Sequence, residues 1–332
     1  MKTKLIALAF LLHPSSFLLA QGPLAPPGAP APTMKTLDQI EPRTPISSAP
    51  FTISASGSYY LTGNLTVATG NAITISTDQV TLDLNGFSIS STHATGNGTA
   101  VSISGTRRNV TVKNGHLRGT TTFAAGVFTP GGFLNGVSNI SFVGANLRVS
   151  DLNILGMASD GINLALTSVP TYVVERCNVT VCAALGIQAG LVRDCSADTT
   201  GDDAIQGDTV TNCSGATVNT ASASGSGIQG LSVVENCRGI AVSGNGVASI
   251  VVTNSRGTST SGIGLSAVNA MNCEGISTSG SFGLAVISTS GIASFCRGQR
   301  NGGVALTAFN AIGCSVLGSG TVSATNKSLG TP

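Results

Sequence analysis

Cysteine returns on an 18-residue beat through the second half of this chain. It stands at positions 177, 195, 213, 237, 273, 296 and 314, at intervals of 18, 18, 24, 36, 23 and 18. Ser255 lies 18 residues after Cys237 and 18 before Cys273, so it fills the double gap. The result is eight repeats, two of them lengthened by six and five residues. A unit of this size cannot bury an apolar face alone; it must stack on its neighbours, so the chain is a solenoid.

Other columns keep the same register. Three residues before each rung stand Val174, Val192, Val210, Val234, Val252, Ala270, Ala293 and Ala311. One residue before stand Asn212, Asn236, Asn254 and Asn272 in four of the eight repeats. Two after come Val179, Ala197, Gly215, Gly239, Gly257, Gly275, Gly298 and Val316, all small or β-branched. Positions −3 and 0 differ by an odd number, so no straight strand points both inward. A bend between them can, and Asn accepts the left-handed conformation a sharp bend needs. The −1 column is therefore expected to be a corner, with Cys turned inward just after it.

The first half reads the same way in a looser hand. Ala72-Ile-Thr-Ile, Val80-Thr-Leu-Asp-Leu and Val110-Thr-Val alternate with period two, and Asn-Gly pairs at 85–86 and 114–115 separate such pieces. No stretch of ten residues shows helical periodicity. Forty-three glycines, 4% aromatics and no Trp suit short strands and tight turns rather than a helical core. A net charge of +2 with no Lys/Arg run speaks against a nucleic-acid partner.

The ends differ in kind. Lys2, Lys4 and the apolar run Leu5–Leu12 resemble a secretory signal over 1–20, with Ala20 as the cleavage position. That run is too short to span a bilayer, which takes about 20 residues. Residues 21–33 hold five prolines and form an extended linker. Residues 34–50 are expected to cap the first coil, with one amphipathic turn of helix over 34–45. The coils are expected over 51–324, followed by a flexible tail at 325–332. Localisation is expected to be secreted, periplasmic or at the cell surface.

A left-handed β-helix would place an aliphatic residue every six positions. Six after the Val/Ala column lie Thr180, Asp198, Ala216, Ile240, Thr258, Ile276 and Gln299, which is no aliphatic hexad. The expected architecture is an all-β, single-stranded, right-handed parallel β-helix of about 12 or 13 coils, roughly 60 Å long at 4.8 Å per coil. With its repeated V-x-N-C-x-G…G-I pattern over 172–316, and "GSYYLTGNLTV", "VTLDLNGFSI" and "NVTVKNGHLRG" over 57–119, the chain resembles the pectate-lyase-like parallel β-helix repeat proteins. The resemblance implies a fold shared by lyases, glycosidases, adhesins and exported scaffolds.

Within that resemblance, Gly201-Asp202-Asp203-Ala204-Ile205 is similar to the G-D-D-C-I signature of polygalacturonases, and Ser159-Asp160-Gly161-Ile162 to their N-T-D-G-I. If the family role carried over, Asp160, Asp202 and Asp203 would be the acid and base around a water. The chain departs from the family in three ways. The two motifs lie 42 residues apart, Ser226-Gly227-Ile228-Gln229-Gly230 replaces G-H-G, and R-I-K is missing. The repeat also explains the aspartates. Asp160, Leu185, Asp203, Ser226 and Asn245 share one column, which marks a turn position.

Other chemistry is sparse. The thiol column is expected to be buried, free and structural; a linear ladder is not a tetrahedral metal site. Arg238, Arg256 and Arg297 form an outward column interrupted by Glu274, and no acidic Ca²⁺ cluster accompanies them. Thr258-Ser-Thr-Ser-Gly262 and Ser277-Thr-Ser-Gly280 make a hydroxyl-rich face suited to glycan, ice or plain water. No cofactor is expected. The expected function is a non-catalytic exported scaffold that contacts extracellular polysaccharide; the alternative is a polysaccharide hydrolase or lyase.

Overall fold

Isoleucine, valine and leucine stack on themselves through the whole molecule. In one row Ile162 pairs with Ile187, then Ile205, Ile228, Val247, Leu265, Leu284 and Leu306 in parallel register. The computed structural model describes residues 41–139, 144–166, 171–218, 225–328 and 330–331. From Arg43 onward the chain forms one unit. It is an all-β parallel β-solenoid of about 12 turns, with no helix among the described residues.

Each turn has three faces. Face A carries the Ile/Val/Leu row just described. Face B carries Val174, Val192, Val210, Val234, Val252 and Ala270. Face C follows the cysteine, with Val179, Ala197, Gly215, Gly239, Gly257 and Gly275 pointing inward. Alternation puts every second residue of each face inside, so each row is buried and continuous. Tyr172 and Phe133 are the largest fully buried side chains; the rest of the core is mainly aliphatic, with the cysteine column beside it.

Close approach of neighbouring backbone explains the glycines of face C. A Cβ on Gly257 would lie 2.0 Å from the Gly264 carbonyl oxygen, and one on Gly239 would lie 1.9 Å from that of Gly246. The inner side of face C there rests directly on the backbone entering face A. The same row takes Val179 and Ala197 in earlier turns and Val316 in the last.

Both ends extend beyond the expected limits. The expected leader over 1–20, the linker over 21–33 and residues 34–40 of the expected helical cap lie outside the described residues. Thr44–Ile46 is not helical but a strand, paired with Tyr59–Leu61. Ile46 is fully buried in register above Leu61, and burial of that side chain outweighs the local helical pattern. Pro45 is tolerated because this strand lies at the edge of the stack. At the other end Thr321–Ser328 forms a strand on Val304–Ile312, where a flexible tail was expected from 325. Asn326 Nδ2 donates to Asn310 Oδ1 at 2.8 Å and holds that last rung. Among the described residues, an antiparallel hairpin of Thr122–Ala124 and Val127–Thr129 leaves the stack.

Candidate ligand groove along the cysteine corner

The corner between faces B and C is built from residues with positive φ. Arg176, Asp194, Asn212, Asn236, Asn254, Asn272, Phe295 and Gly313 occupy the −1 column, with φ between 48° and 59°. All eight repeats therefore make the bend that four asparagines signalled. Asp151 and Asn114 continue the column upstream. Two of the three neighbouring amide pairs link: Asn236 Nδ2 donates to Asn212 Oδ1, and Asn272 Nδ2 to Asn254 Oδ1, each at 3.3 Å. Asn212 Nδ2 donates in turn to Asp194 Oδ1 at 3.1 Å.

The bend leaves backbone groups that the flanking strands do not satisfy, and the next residue in the chain meets them. Cys237 Sγ accepts the Cys213 N–H at 3.4 Å and donates to the carbonyls of Val210 and Glu235. Ser255 repeats the role: its Oγ accepts the Cys237 N–H at 3.0 Å and donates to the Thr253 carbonyl at 2.7 Å. Thr331 closes the series by accepting the Cys314 N–H at 3.2 Å and donating to the Ala311 carbonyl at 3.2 Å. The column thus needs a small side chain that both donates and accepts. Sequence reading found the small size and missed the hydrogen bonds, and missed Thr331 because its interval is 17 rather than 18. All eight cysteines are buried and unpaired. The neighbouring Cys195 thiol and burial push Cys177 up, and burial pushes Cys182 up to about 12, so neither is a nucleophile at neutral pH.

Outside this corner runs a groove of about 1370 Å³. It extends from Arg176 to Ser315, about seven coil steps or roughly 34 Å. Its floor is the Cys and Asn columns, and its wall is the first outward residue of face C: Asn178, Ser196, Ser214, Arg238, Arg256 and Glu274. Glu274 ties two wall arginines, at 3.1 Å to Arg256 and 3.6 Å to Arg297. At the N-terminal end Arg176 binds Asp151 at 2.7 Å and Glu175 at 3.0 Å. Glu175, fully buried, also takes Arg148 and Arg193. Their hydrogen bonds outweigh the burial that would raise its carboxyl and hold it below the usual range.

Phe295 is the exception on the groove floor. It occupies a left-handed position where an aromatic residue costs about 1–2 kcal/mol, yet its side chain is 60% exposed. The ring lies across Gly313 in the next turn, where a Cβ would sit 2.8 Å from it.

The three aspartates lie at a different corner, where face C returns to face A. Asp160 Oδ1 accepts the Leu185 N–H at 3.2 Å, and its Oδ2 accepts Asn163 Nδ2 at 2.7 Å. Asp203 Oδ1 accepts the Ser226 N–H at 2.6 Å. Asn71 and Asn135 make the same bond in the same column, to Thr99 and Asp160. The two carboxylates thus cap successive turns as asparagines do, two coils and roughly 10 Å apart. Asp202 is half-buried and follows the turn residue Gly201, against which the Phe128 ring of the hairpin lies. Burial pushes Asp203 up to about 6, with the Asp202 charge adding to it.

Among the described residues no three His, Cys, Asp or Glu side chains are grouped as metal ligands. No helix there is long and apolar enough to cross a membrane. No protein-family model matches this chain, and neither a curated protein nor a solved structure does.

Proposed function

We propose that this chain is an exported, non-catalytic scaffold whose corner groove binds an extended glycan. The observation that carries this reading is Phe295, an exposed ring kept at a strained φ on the floor of a long polar groove. Glycans present hydroxyl edges and apolar ring faces. Amide, hydroxyl and guanidinium groups meet the first, and an aromatic face meets the second. The likeness to pectate-lyase-like repeat proteins and the secretory-type leader support the same reading. Distance supports a non-catalytic groove. The groove carboxylates Asp194 and Glu274 stand about four coils or roughly 19 Å apart, whereas glycosidase pairs need about 5–9.5 Å.

Phe295→Asn tests it cleanly, because Asn is the residue that this column otherwise prefers. Glycan binding, measured by affinity electrophoresis over a polysaccharide panel, should weaken about tenfold, the worth of one lost ring contact. Thermal stability should hold or rise by about 1 kcal/mol as the strain is relieved. Unchanged affinity for every glycan that the parent binds would remove the groove from consideration.

A hydrolase centred on Asp160, Asp202 and Asp203 is the second reading, favoured by the Asp203 carboxyl that burial raises next to Asp202. It requires new reducing ends or unsaturated product from the same panel, and loss of that product in Asp202→Asn.

A further inference from the structure

The first outward row of face C does not stop at Asn178. Upstream it continues through Asn153 to His116, and the row two residues on runs from Thr180 through Leu155 to Arg118. Between these rows lies a separate pocket of about 210 Å³, lined by His116, Arg118, Asn153, Asn178 and Thr180 among others. Asn178 also lines the groove, so the pocket adjoins its N-terminal end.

Three properties single it out. First, its polar lining offers N–H and O–H donors from three successive turns, about 4.8 Å apart, and no carboxylate. Second, Arg118 is unspent. Arg148, Arg176, Arg193, Arg256 and Arg297 each meet a carboxylate; among the described residues Arg118, like Arg108, Arg238 and Arg300, pairs with none. Asp198, next along the row after Thr180, is three coils from Arg118 and accepts the Thr199 N–H at 2.7 Å. Third, the volume suits one small group rather than a sugar chain, and the half-buried His116 forms one side.

We propose that His116 and Arg118, with the amides of Asn153 and Asn178 and the Thr180 hydroxyl, form a subsite for a tetrahedral oxyanion of the sulfate type. A guanidinium fork and neighbouring N–H donors bind such a group bidentately, and the open groove beyond Asn178 accommodates the remainder of a molecule carrying it. Assigning the oxyanion to a groove-bound chain rests on the glycan reading; binding of the ion itself does not.

The test follows the histidine ring NMR signals of the full chain, with His116 assigned from the spectrum of His116→Gln. The probes are inorganic sulfate, a dextran-sulfate oligosaccharide and the unsulfated dextran oligosaccharide. Sulfate should shift the His116 ring saturably, leave His93 in place, and do neither in Arg118→Gln. The sulfated oligosaccharide should bind at least tenfold tighter than dextran, and Arg118→Gln should abolish that margin. Binding of the sulfated chain no tighter than sulfate alone would assign the subsite to the free ion. If sulfate and sulfated chain both leave His116 unmoved, or move it equally in Arg118→Gln, the subsite is overturned. A His116 response that persists while Phe295→Asn leaves all chain binding unchanged would uphold the subsite and sink the groove reading alone.

Discussion

At the scale of single residues, the cysteine column is a hydrogen-bonding device more than a hydrophobic one. Cys237 covers the Cys213 N–H, and Ser255 does the same for Cys237. Removing the side-chain heteroatom orphans a buried N–H, which costs about 1–3 kcal/mol. Cys237→Ala should therefore lower stability in urea by about that amount, and Cys237→Ser by less than about half of it. Equal losses would show that size alone matters. Asp203 makes a second residue-scale argument. Burial holds its folded pKa at about 6, above the usual carboxylate value of 3.8, so the folded chain keeps the extra proton between those limits. Stability should then fall as pH rises from about 4 to 6, by about 3 kcal/mol if the whole shift is expressed. Asn71 and Asn135 make the equivalent bond without a charge. Asp203→Asn should flatten that pH dependence and raise stability at pH 7, read as the urea midpoint at each pH. A midpoint that stays lower at every pH would mean the carboxylate is needed ionised.

At the scale of the element, face C shows how one row can demand opposite residues in different turns. Val179 is fully buried in this row, while Gly257 has the Gly264 carbonyl where its side chain would be. Gly257→Val cannot be absorbed by a rotamer change, because the obstruction is backbone. It should cost more than about 4 kcal/mol and fail to yield a cooperative urea transition at 25 °C. Sequence periodicity revealed that this row is small without revealing why, since the cause is the approach of a strand seven residues ahead. The same limit explains what was and was not legible elsewhere. The eight-rung register was readable because each column repeats one steric demand. The strand at Thr44–Ile46 was not, because three residues carry no period and only the pairing with Tyr59–Leu61 defines them. Asp160, Asp202 and Asp203 drew attention as acidic text, yet the bonds that explain Asp160 and Asp203 run to the next coil. The groove was hidden for a related reason: its floor and wall are successive columns whose shared concavity appears only when the corner is bent. Phe295 did carry a signal, as the one aromatic residue in the −1 column.

At the scale of the whole molecule, stability is a sum of turns and of the interfaces between them. Each turn touches its two neighbours, so removing a complete turn replaces two interfaces with one similar interface. Residues 238–255 make such a unit, since Arg238 pairs with Arg256 and Gly239 with Gly257 in strict register. Deleting them joins Cys237 to Arg256 and sets Cys237 over Cys273 in the ladder. Every inward row stays inward, and the Gly257 position meets Gly215 as Gly239 did. The shortened chain should fold, with a rod about 4.8 Å shorter by small-angle scattering and a modest fall in melting temperature. Deleting 238–246 instead removes half a turn. That places the Val252 strand on face C, puts outward residues inside, and breaks the thiol, amide and glycine rows together. This second deletion should not fold, as judged by far-UV circular dichroism and protease resistance. The contrast isolates register from length, since the non-folding chain is nine residues longer than the folding one. If both deletions fold, neighbouring turns tolerate slippage and the columns do not specify the coil. If neither folds, the turns are coupled over more than nearest neighbours and the molecule behaves as one cooperative domain.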